Sequence, residues 1–211
     1  MLSVVYCGMS IPRILNLRDL LKKKSHFLFG PRGTGKSTLI RESLPADRYP
    51  IINLLHAETR LRLLHNPSDL ARMIPDSNPE SVVIDEVQKI PDLLDEVHAL
   101  IEEKKMKFLL TGSSARKIKK EGGNLLGGRA RVAHFFPLVY PEIPHFNRMR
   151  YLQFGGLPSV WTSDDPWPEL RDYVDAYLRE EIEQEAQVRQ LWQYARFLYS
   201  AALQNGELLN Y

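Results

Sequence analysis

The residues from Gly30 to Thr38, in the stretch GPRGTGKST, have the types and spacing of a phosphate-binding loop. Gly30, Gly35, Lys36 and Ser37 fit the pattern G-x-x-x-x-G-K-[ST] in full. Glycines let backbone N–H groups surround phosphates closely, and the helix that follows offers its positive end. We predict that Lys36 contacts the β- and γ-phosphates and that Ser37 ligates Mg²⁺. The alternative is a glycine-rich turn before a helix. The candidate binding residues are Gly30, Pro31, Arg32, Gly33, Thr34, Gly35, Lys36, Ser37 and Thr38.

An acidic pair follows the apolar run in SVVIDEVQKIP. Asp85 comes at the end of a predicted strand, where its carboxylate could hold a water of the Mg²⁺ shell. Glu86 could orient the water that attacks the γ-phosphate. Hydrolysis needs both contributions, because metal charge and nucleophile positioning are separate effects. The alternative is a strand end that merely reaches solvent.

A third apolar run, KFLLTGSSARKI, ends in small polar residues. Thr111, Ser113 or Ser114 could sense the γ-phosphate or the attacking water from the carboxyl end of a neighbouring strand. Of these three residues, Ser113 is the one that we place among the candidate nucleotide-binding residues. A simple strand-to-helix turn would explain the same pattern.

Two arginines, Arg129 and Arg131, lie next to a glycine pair in LLGGRARVAHFFPL. One of them could stabilise charge in the transition state, a role whose loss costs roughly 10³ to 10⁵ in rate where it operates. We favour Arg129 as this catalytic arginine. Surface ion pairing is an equally simple explanation.

The same region carries a cluster of cations that could contact a nucleic-acid backbone. No aromatic residues are interleaved with them for base stacking, and charge runs are usually solvated faces. DNA contact is therefore weakly supported. The cluster consists of Arg116, Lys117, Lys119, Lys120, Arg129 and Arg131, against Glu121.

Short apolar runs alternate with helical patterns along the first two thirds of the chain, which is typical of a parallel sheet covered on both faces. We therefore predict an α/β fold. A helical stripe over residues 91–105 should cover one face of the sheet. The apolar runs are residues 26–29, 50–55, 81–85, 107–111 and 131–136.

We expect three regions: an N-terminal extension over residues 1–10, an α/β core over 11–136 and a helical appendage over 137–211. Prolines punctuate the chain after Pro137, and a long helical pattern begins at Trp167. Asn205 and Gly206 resemble a helix stop.

Composition excludes some classes of protein. The chain has 211 residues, of which 44% are apolar and 26% charged, as in a folded globular protein. The net charge of +2 does not by itself indicate nucleic-acid binding. Cys7 is the single cysteine, so an intrachain disulfide and a four-cysteine zinc site are impossible, and a reducing cytoplasm fits best. The sequence has no stretch that predicts a membrane span.

The motifs together resemble the AAA-like ATP-binding proteins of bacteria and archaea that carry a C-terminal domain of unknown function. The resemblance covers about residues 11–211 and rests on GPRGTGKSTLI, VVIDEVQKIPDLLDEVHALIE, LLTGSSARKI, LLGGRA and FGGLPSV. It implies a P-loop sheet in which strand 107–111 lies beside strand 26–29. It also implies ATP and Mg²⁺ as ligands.

Carried over by residue, the resemblance gives Lys36 and Ser37 as phosphate and Mg²⁺ ligands, Asp85 and Glu86 as the acidic pair, and Arg129 as the arginine of the GR element. Gly155, Gly156 and Pro158 match a GG-x-P turn, which could equally be a hinge between subdomains. Family members continue into a winged helix, so the chain ending at Tyr211 is expected to be truncated.

The first functional hypothesis is an ATPase of AAA-like type, in which hydrolysis of MgATP moves the helical appendage. The second is a nucleotide-binding switch or scaffold with negligible turnover, which in a full-length form could associate with DNA. A phosphotransferase is disfavoured because Glu86 suits water activation, and no N-K-x-D sequence supports guanine specificity. A protein partner or self-association is possible, and no membrane partner is expected.

Overall fold

The computed structural model describes residues 11–113, 115, 118, 126–177 and 191–204. The described helices and strands follow in chain order, and three short 3₁₀ turns over Val87–Lys89, Leu126–Gly128 and Tyr140–Glu142 join some of them. The elements are α1 (Leu17–Leu21), β1 (Ser25–Phe29), α2 (Lys36–Ser43), β2 (Ile51–Asn53), α3 (Ala57–His65), α4 (Asp69–Met73), β3 (Val82–Asp85), α5 (Leu93–Lys104), β4 (Phe108–Gly112), β5 (Ala130–His134), α6 (Arg148–Phe154), α7 (Pro158–Thr162), α8 (Pro166–Tyr177) and α9 (Leu191–Leu203).

The five strands form one parallel sheet in the order β2-β3-β4-β1-β5. The predicted α/β fold is confirmed, and so is the placement of the fourth strand beside the first, where His26 pairs with Leu109. The extra strand therefore lies between the strand before the phosphate loop and the strand before the acidic pair. All these strands end at the same edge, so the loop and the acidic pair share it.

Burial follows position in the sheet. The three inner strands, β1, β3 and β4, are buried at every residue, which explains their continuous apolar sequence. The edge strands β2 and β5 are partly exposed. The predicted helix over 91–105 is confirmed as α5.

Because side chains alternate across a sheet, successive residues of a strand pack into two different hydrophobic cores, one on each face. On one face, Phe27 and Phe29 pack with Leu93 and Val97 of α5. On the other face, Leu28 packs with Leu17 of α1 and with residues of α2. The two helices that flank the phosphate loop region are thus fixed by apolar burial on one side of the sheet.

The chain divides into two compact units, residues 1–162 and residues 163–211. The first continues past the expected core boundary at residue 136, and it includes a small cluster of Leu138, Ile143 and Trp161 after β5. The described part of the second unit consists of α8 and α9, which agrees with the predicted helical character. The N-terminal extension, Cys7, Asn205 and Gly206 lie outside the described residues.

Within the part of the chain that the structure describes, no helix is both long enough and apolar enough to cross a bilayer.

Candidate functional site

The candidate phosphate-binding loop connects β1 to α2, as the motif predicts. Gly33 has φ 72° and Gly35 has φ 88°, both in the left-handed region that favours glycine. Gly35 caps α2, which begins at Lys36. The first helical turn of α2 therefore presents its N–H groups at the loop, which suits an anion.

The first glycine of the loop is required for a different reason, since a Cβ built on Gly30 would lie 2.1 Å from the backbone oxygen of Phe135. Phe135 follows β5 and donates its N–H to the Phe29 oxygen at 2.7 Å. The chain leaving β5 therefore packs directly against the start of the loop.

We predict that Gly30→Ala displaces this backbone contact and lowers the free energy of unfolding by about 2 kcal/mol, in the range of overpacking mutations. Chemical denaturation of both proteins would measure the loss. Gly128→Ala is the control for backbone strain without a steric clash, because a Cβ at Gly128 would meet nothing within 4 Å while its φ of 80° disfavours a side chain. A Gly30→Ala protein as stable as the wild type would contradict the prediction.

Lys36 lies inside the loop, with its side chain almost buried. Its Nζ donates to the backbone oxygen of Gly30 at 2.5 Å and to that of Pro31 at 2.9 Å. Carbonyl oxygens thus hold the ammonium group at the loop, where phosphate oxygens could replace them as acceptors.

Ser37, Asp85 and Thr111 come from three different elements and meet at one carboxylate. The Ser37 hydroxyl donates to Asp85 Oδ2 at 3.1 Å, and the Thr111 hydroxyl donates to Asp85 Oδ1. Asp85 and Thr111 are buried, so the carboxylate is oriented by two hydroxyl groups in a largely water-free site.

Glu86 follows Asp85 and turns sharply away from the strand, with φ 64° and ψ 43°. A left-handed backbone is unusual for glutamate and is typical of functional turns. The Glu86 N–H donates to Thr111 Oγ1 at 3.3 Å, and Glu86 Oε2 accepts from Gln88 Nε2 at 2.5 Å. The backbone of the acidic pair and the Glu86 carboxylate are therefore both held in place.

Thr111, one of the three predicted sensor residues, contacts both members of the acidic pair through its hydroxyl group. Ser113 lies just beyond β4 and is partly exposed. Ser114 lies outside the described residues, and so do Arg116, Lys117, Lys119, Lys120 and Glu121 of the predicted basic cluster.

Arg129 does not lie beside the phosphate-binding loop of its own chain. It directly precedes β5, whose first residue Ala130 pairs with Ser25, so it lies at the amino end of the strands while the loop follows their carboxyl ends. Its guanidinium instead binds Glu102 and holds the pKa of that carboxyl below its ordinary value. A role for Arg129 at a γ-phosphate would have to be exercised on a neighbouring subunit.

A buried ion pair supports the loop, and no motif in the sequence indicates it. Arg13 Nη1 donates to the backbone oxygen of Thr34 at 2.7 Å, and Arg13 Nη2 donates to that of Phe136 at 2.6 Å. Arg13 Nε lies 3.0 Å from Glu142 Oε2. Three segments distant in sequence are therefore tied together at the loop.

Burial would by itself raise the pKa of Glu142. The backbone N–H groups of Ile14 and Val139 and the Arg13 guanidinium outweigh burial, so the pKa lies below its ordinary value. The carboxylate is consequently charged at neutral pH and stabilises the fold in that form.

We predict that Glu142→Gln lowers the free energy of unfolding at pH 7 by about 2 kcal/mol. Since the folded-state pKa is lowered, the stabilisation is present above the unfolded pKa and is lost as the pH falls through the lower folded pKa. The gap between wild type and Glu142→Gln should therefore narrow under acid. Denaturation of both proteins at pH 7 and in acid would measure it, and a gap that does not change with pH would contradict the role of the charge.

A cavity of about 190 Å³ adjoins the loop. Ile11, Leu39 and Leu138 give it apolar walls, while Arg13 and the loop contribute polar groups. Its other lining residues belong to the loop and α2 (Thr34, Gly35, Thr38 and Glu42) and to α7 (Pro158, Ser159 and Thr162). It therefore extends the loop surface toward a partly apolar cleft, which suits a flat organic group attached to a phosphate chain.

The GG-x-P turn lies between α6 and α7. Gly155 has φ 74° and follows α6, and a Cβ on Gly156 would lie 2.4 Å from the Leu138 backbone oxygen. The Leu138 N–H in turn donates to the Gly156 oxygen at 2.7 Å. The turn is thus packed against the segment after β5, and Pro158 leads directly into the cavity wall.

The residues at the loop fit a magnesium nucleotide. Ser37 and Asp85 offer a hydroxyl and a carboxylate side by side, and Mg²⁺ prefers one or two such oxygen ligands together with phosphate oxygens and water. The adjoining glycines leave the backbone open to a phosphate chain. The loop, the acidic pair and the cavity lie within one compact unit.

Comparison with known proteins agrees with this geometry. Residues 22–144 match the family model of an AAA domain, and residues 146–211 match the model of a domain of unknown function. An uncharacterized protein of Haemophilus influenzae is 25% identical over 206 residues, covering 86% of this chain and 52% of its own length. Uncharacterized proteins of Mycobacterium bovis and Mycobacterium tuberculosis are each 26% identical over 195 residues, covering 86% of this chain and 42% of theirs. The chain thus spans about half the length of the curated relatives it matches.

Proposed function

The chain belongs to the AAA domain family, and from that membership together with the site we propose that it binds MgATP and hydrolyses it to ADP and phosphate. The observation that carries the proposal is the contact of Ser37 with Asp85, with Glu86 adjacent. It joins a phosphate-binding loop to an acidic pair through a single hydrogen bond, and these are the two parts that nucleotide hydrolysis requires.

In the proposed complex, the loop N–H groups and the Lys36 ammonium bind the phosphates. Lys36 exchanges the Gly30 and Pro31 oxygens for phosphate oxygens, so its positive charge is already in place before binding. Ser37 and Asp85 would hold Mg²⁺, which supplies charge that stabilises the phosphates during transfer. Thr111 keeps Asp85 oriented for this role.

Glu86 is the proposed general base. Its carboxylate accepts a proton from the attacking water, the water oxygen forms a bond to the γ-phosphorus, and the bond from that phosphorus to the bridging oxygen of ADP breaks. Thr111 holds the backbone of Glu86, and the two carboxylates have different partners, since Gln88 contacts that of Glu86 while Thr111 and Ser37 contact that of Asp85. Two neighbouring carboxylates can thereby perform different tasks.

The cavity beside the loop is the proposed site for the nucleoside. If so, Ser159→Phe, which fills the cleft from α7, should weaken ATP binding by roughly tenfold, or about 1.4 kcal/mol. Binding of inorganic tripolyphosphate, which lacks a nucleoside, should be unaffected. Isothermal titration with both ligands would separate the effects, with Ser159→Ala as the control that removes the hydroxyl without filling space. An equal loss for both ligands would contradict this placement.

The proposal has two further parts. Hydrolysis drives a conformational change, and the protein binds a protein partner or a second copy of itself. Arg129 could serve a neighbouring subunit, which would require the chain to assemble. Size-exclusion chromatography with light scattering, with and without MgATP, would test this. A monomer in both conditions would rule out the intersubunit arginine.

The proposal is tested by titrating ATP into the 211-residue chain with and without Mg²⁺ and following single-turnover hydrolysis. We expect Mg²⁺-dependent binding followed by release of phosphate. Binding without turnover would favour the second candidate, a nucleotide-binding switch. Failure to bind ATP would overturn both.

A further inference from the structure

We propose that Gln88 is a positioning residue that orients the Glu86 carboxylate for proton transfer. The inference rests on the proposed function, because it assigns Gln88 a task only if Glu86 acts as the base. Gln88 lies in the 3₁₀ turn Val87–Lys89, two residues after Glu86, and its side chain is 6% exposed.

The hydrogen bond between the two side chains fixes the orientation of both. Gln88 Nε2 donates to Glu86 Oε2 at 2.5 Å. An ionised carboxylate only accepts hydrogen bonds, so the amide must present its NH₂ group and not its oxygen to Glu86. One oxygen of Glu86 is therefore engaged, and Oε1 is the oxygen that can receive a proton from water.

The donor is held more firmly than the carboxylate it contacts. The turn that carries Gln88 is anchored in the core by Val87, which is fully buried, and by Ile90. Glu86 is only partly buried. Since a rigid group constrains a mobile one, Gln88 sets the position of the carboxylate and not the reverse.

The amide oxygen of Gln88 indicates that this side chain is not the most stabilising one for its site. Gln88 Oε1 is buried without a hydrogen-bond partner among the described residues. A buried acceptor of this kind destabilises the fold, so an apolar side chain of the same length would suit the packing better. A buried polar group without a partner is typical of functional sites.

Gly112 provides the space that this arrangement needs. A Cβ on Gly112 would lie 2.3 Å from Gln88 Oε1, so the amide occupies the place of a side chain at the end of β4. The Gly112 oxygen also accepts the Gly30 N–H at 3.3 Å. Gln88 is thus wedged at the junction of the acidic turn, β4 and the first residue of the loop.

The variant that separates positioning from structure is Gln88→Met, which keeps the length of the side chain and removes both the donor and the unpartnered oxygen. We expect kcat for ATP hydrolysis to fall by roughly 10- to 100-fold, as when a catalytic group is misplaced. The dissociation constant for ATP should stay within about twofold, and the thermal midpoint should be equal or higher. A merely structural role would instead lower the thermal midpoint.

A double-mutant cycle with Glu86→Gln makes the test specific. In the Glu86→Gln background the base is absent, so adding Gln88→Met should not lower the residual turnover further. Gln88→Asn has a shorter side chain, which moves the amide donor away from Glu86, so its kcat should lie between those of the wild type and Gln88→Met. If Gln88→Met does not fold, the kcat of Gln88→Asn tests the role of Gln88 instead.

Each outcome distinguishes this inference from the proposed function. Absence of hydrolysis in the wild type would overturn both. Hydrolysis by the wild type with an unchanged or increased kcat in Gln88→Met would overturn the role of Gln88 alone. An equal decrease in the wild-type and Glu86→Gln backgrounds would also overturn it, because the effect would then not act through Glu86.

Discussion

Glu86→Gln should bind ATP as tightly as the wild type and hydrolyse it at least about 100-fold more slowly, since general-base catalysis contributes roughly 10² to 10⁴. The amide has the shape of the carboxylate but cannot accept the proton of the attacking water. In the proposed complex, phosphate binding depends on the loop, on Lys36 and on Ser37, none of which the substitution changes. The effect should therefore appear in kcat and leave the dissociation constant within about twofold.

Equilibrium binding of a fluorescent ATP analogue and single-turnover release of phosphate would measure the two quantities separately. Glu58→Gln is a matched control, because Glu58 is an exposed glutamate in the first turn of α3. Retention of wild-type turnover in Glu86→Gln would show that another group activates water. A comparable loss in the control would indicate that the assay reports stability and not chemistry.

Lys36→Ala should lower the affinity for ATP by about 100-fold, corresponding to roughly 2.7 kcal/mol. The side chain is nearly buried, so its positive charge acts at short range and with little screening by water. Its loss removes charge-assisted hydrogen bonds to the phosphates. It also leaves the Gly30 and Pro31 oxygens without this donor, so the loop loses part of its internal support.

Isothermal titration of Lys36→Ala with MgATP tests this prediction. Lys23→Ala is the control, because Lys23 is exposed and precedes β1 at the opposite edge of the sheet. Thermal unfolding of both variants without nucleotide would separate the loss of phosphate contacts from a loss of fold. Wild-type affinity in Lys36→Ala would contradict the assignment of the loop as the phosphate site.

The parts of the site that are local in sequence were predictable. The loop motif specifies its own conformation, because Gly33 and Gly35 adopt backbone angles that favour glycine and Lys36 begins the helix. The continuous apolar runs indicated buried parallel strands, and the strand order followed from the resemblance to a family. The side-by-side placement of Ser37 and Asp85 then follows from the sheet.

The parts that depend on contacts between distant segments were not predictable. Arg13 and Glu142 are separated by most of the chain, and each by itself looks like an ordinary surface charge. Arg129 follows a glycine pair, which suggested a site, but the direction of β5 takes it to the other edge of the sheet. Gln88 is local to Glu86, yet only the buried side chain of Gln88 and the space at Gly112 reveal what it contacts.

The pairing of β1 bears on how the protein is made. Both neighbours of β1, the strands β4 and β5, are encoded far downstream of the phosphate loop. A ribosome adds about 5–20 residues per second, so the loop emerges several seconds before the strands that hold it. Pairing between such distant segments also folds slowly. The nascent loop should therefore remain unable to retain a nucleotide until translation has passed residue 135, and nucleotide binding would mark the end of domain folding and not its beginning.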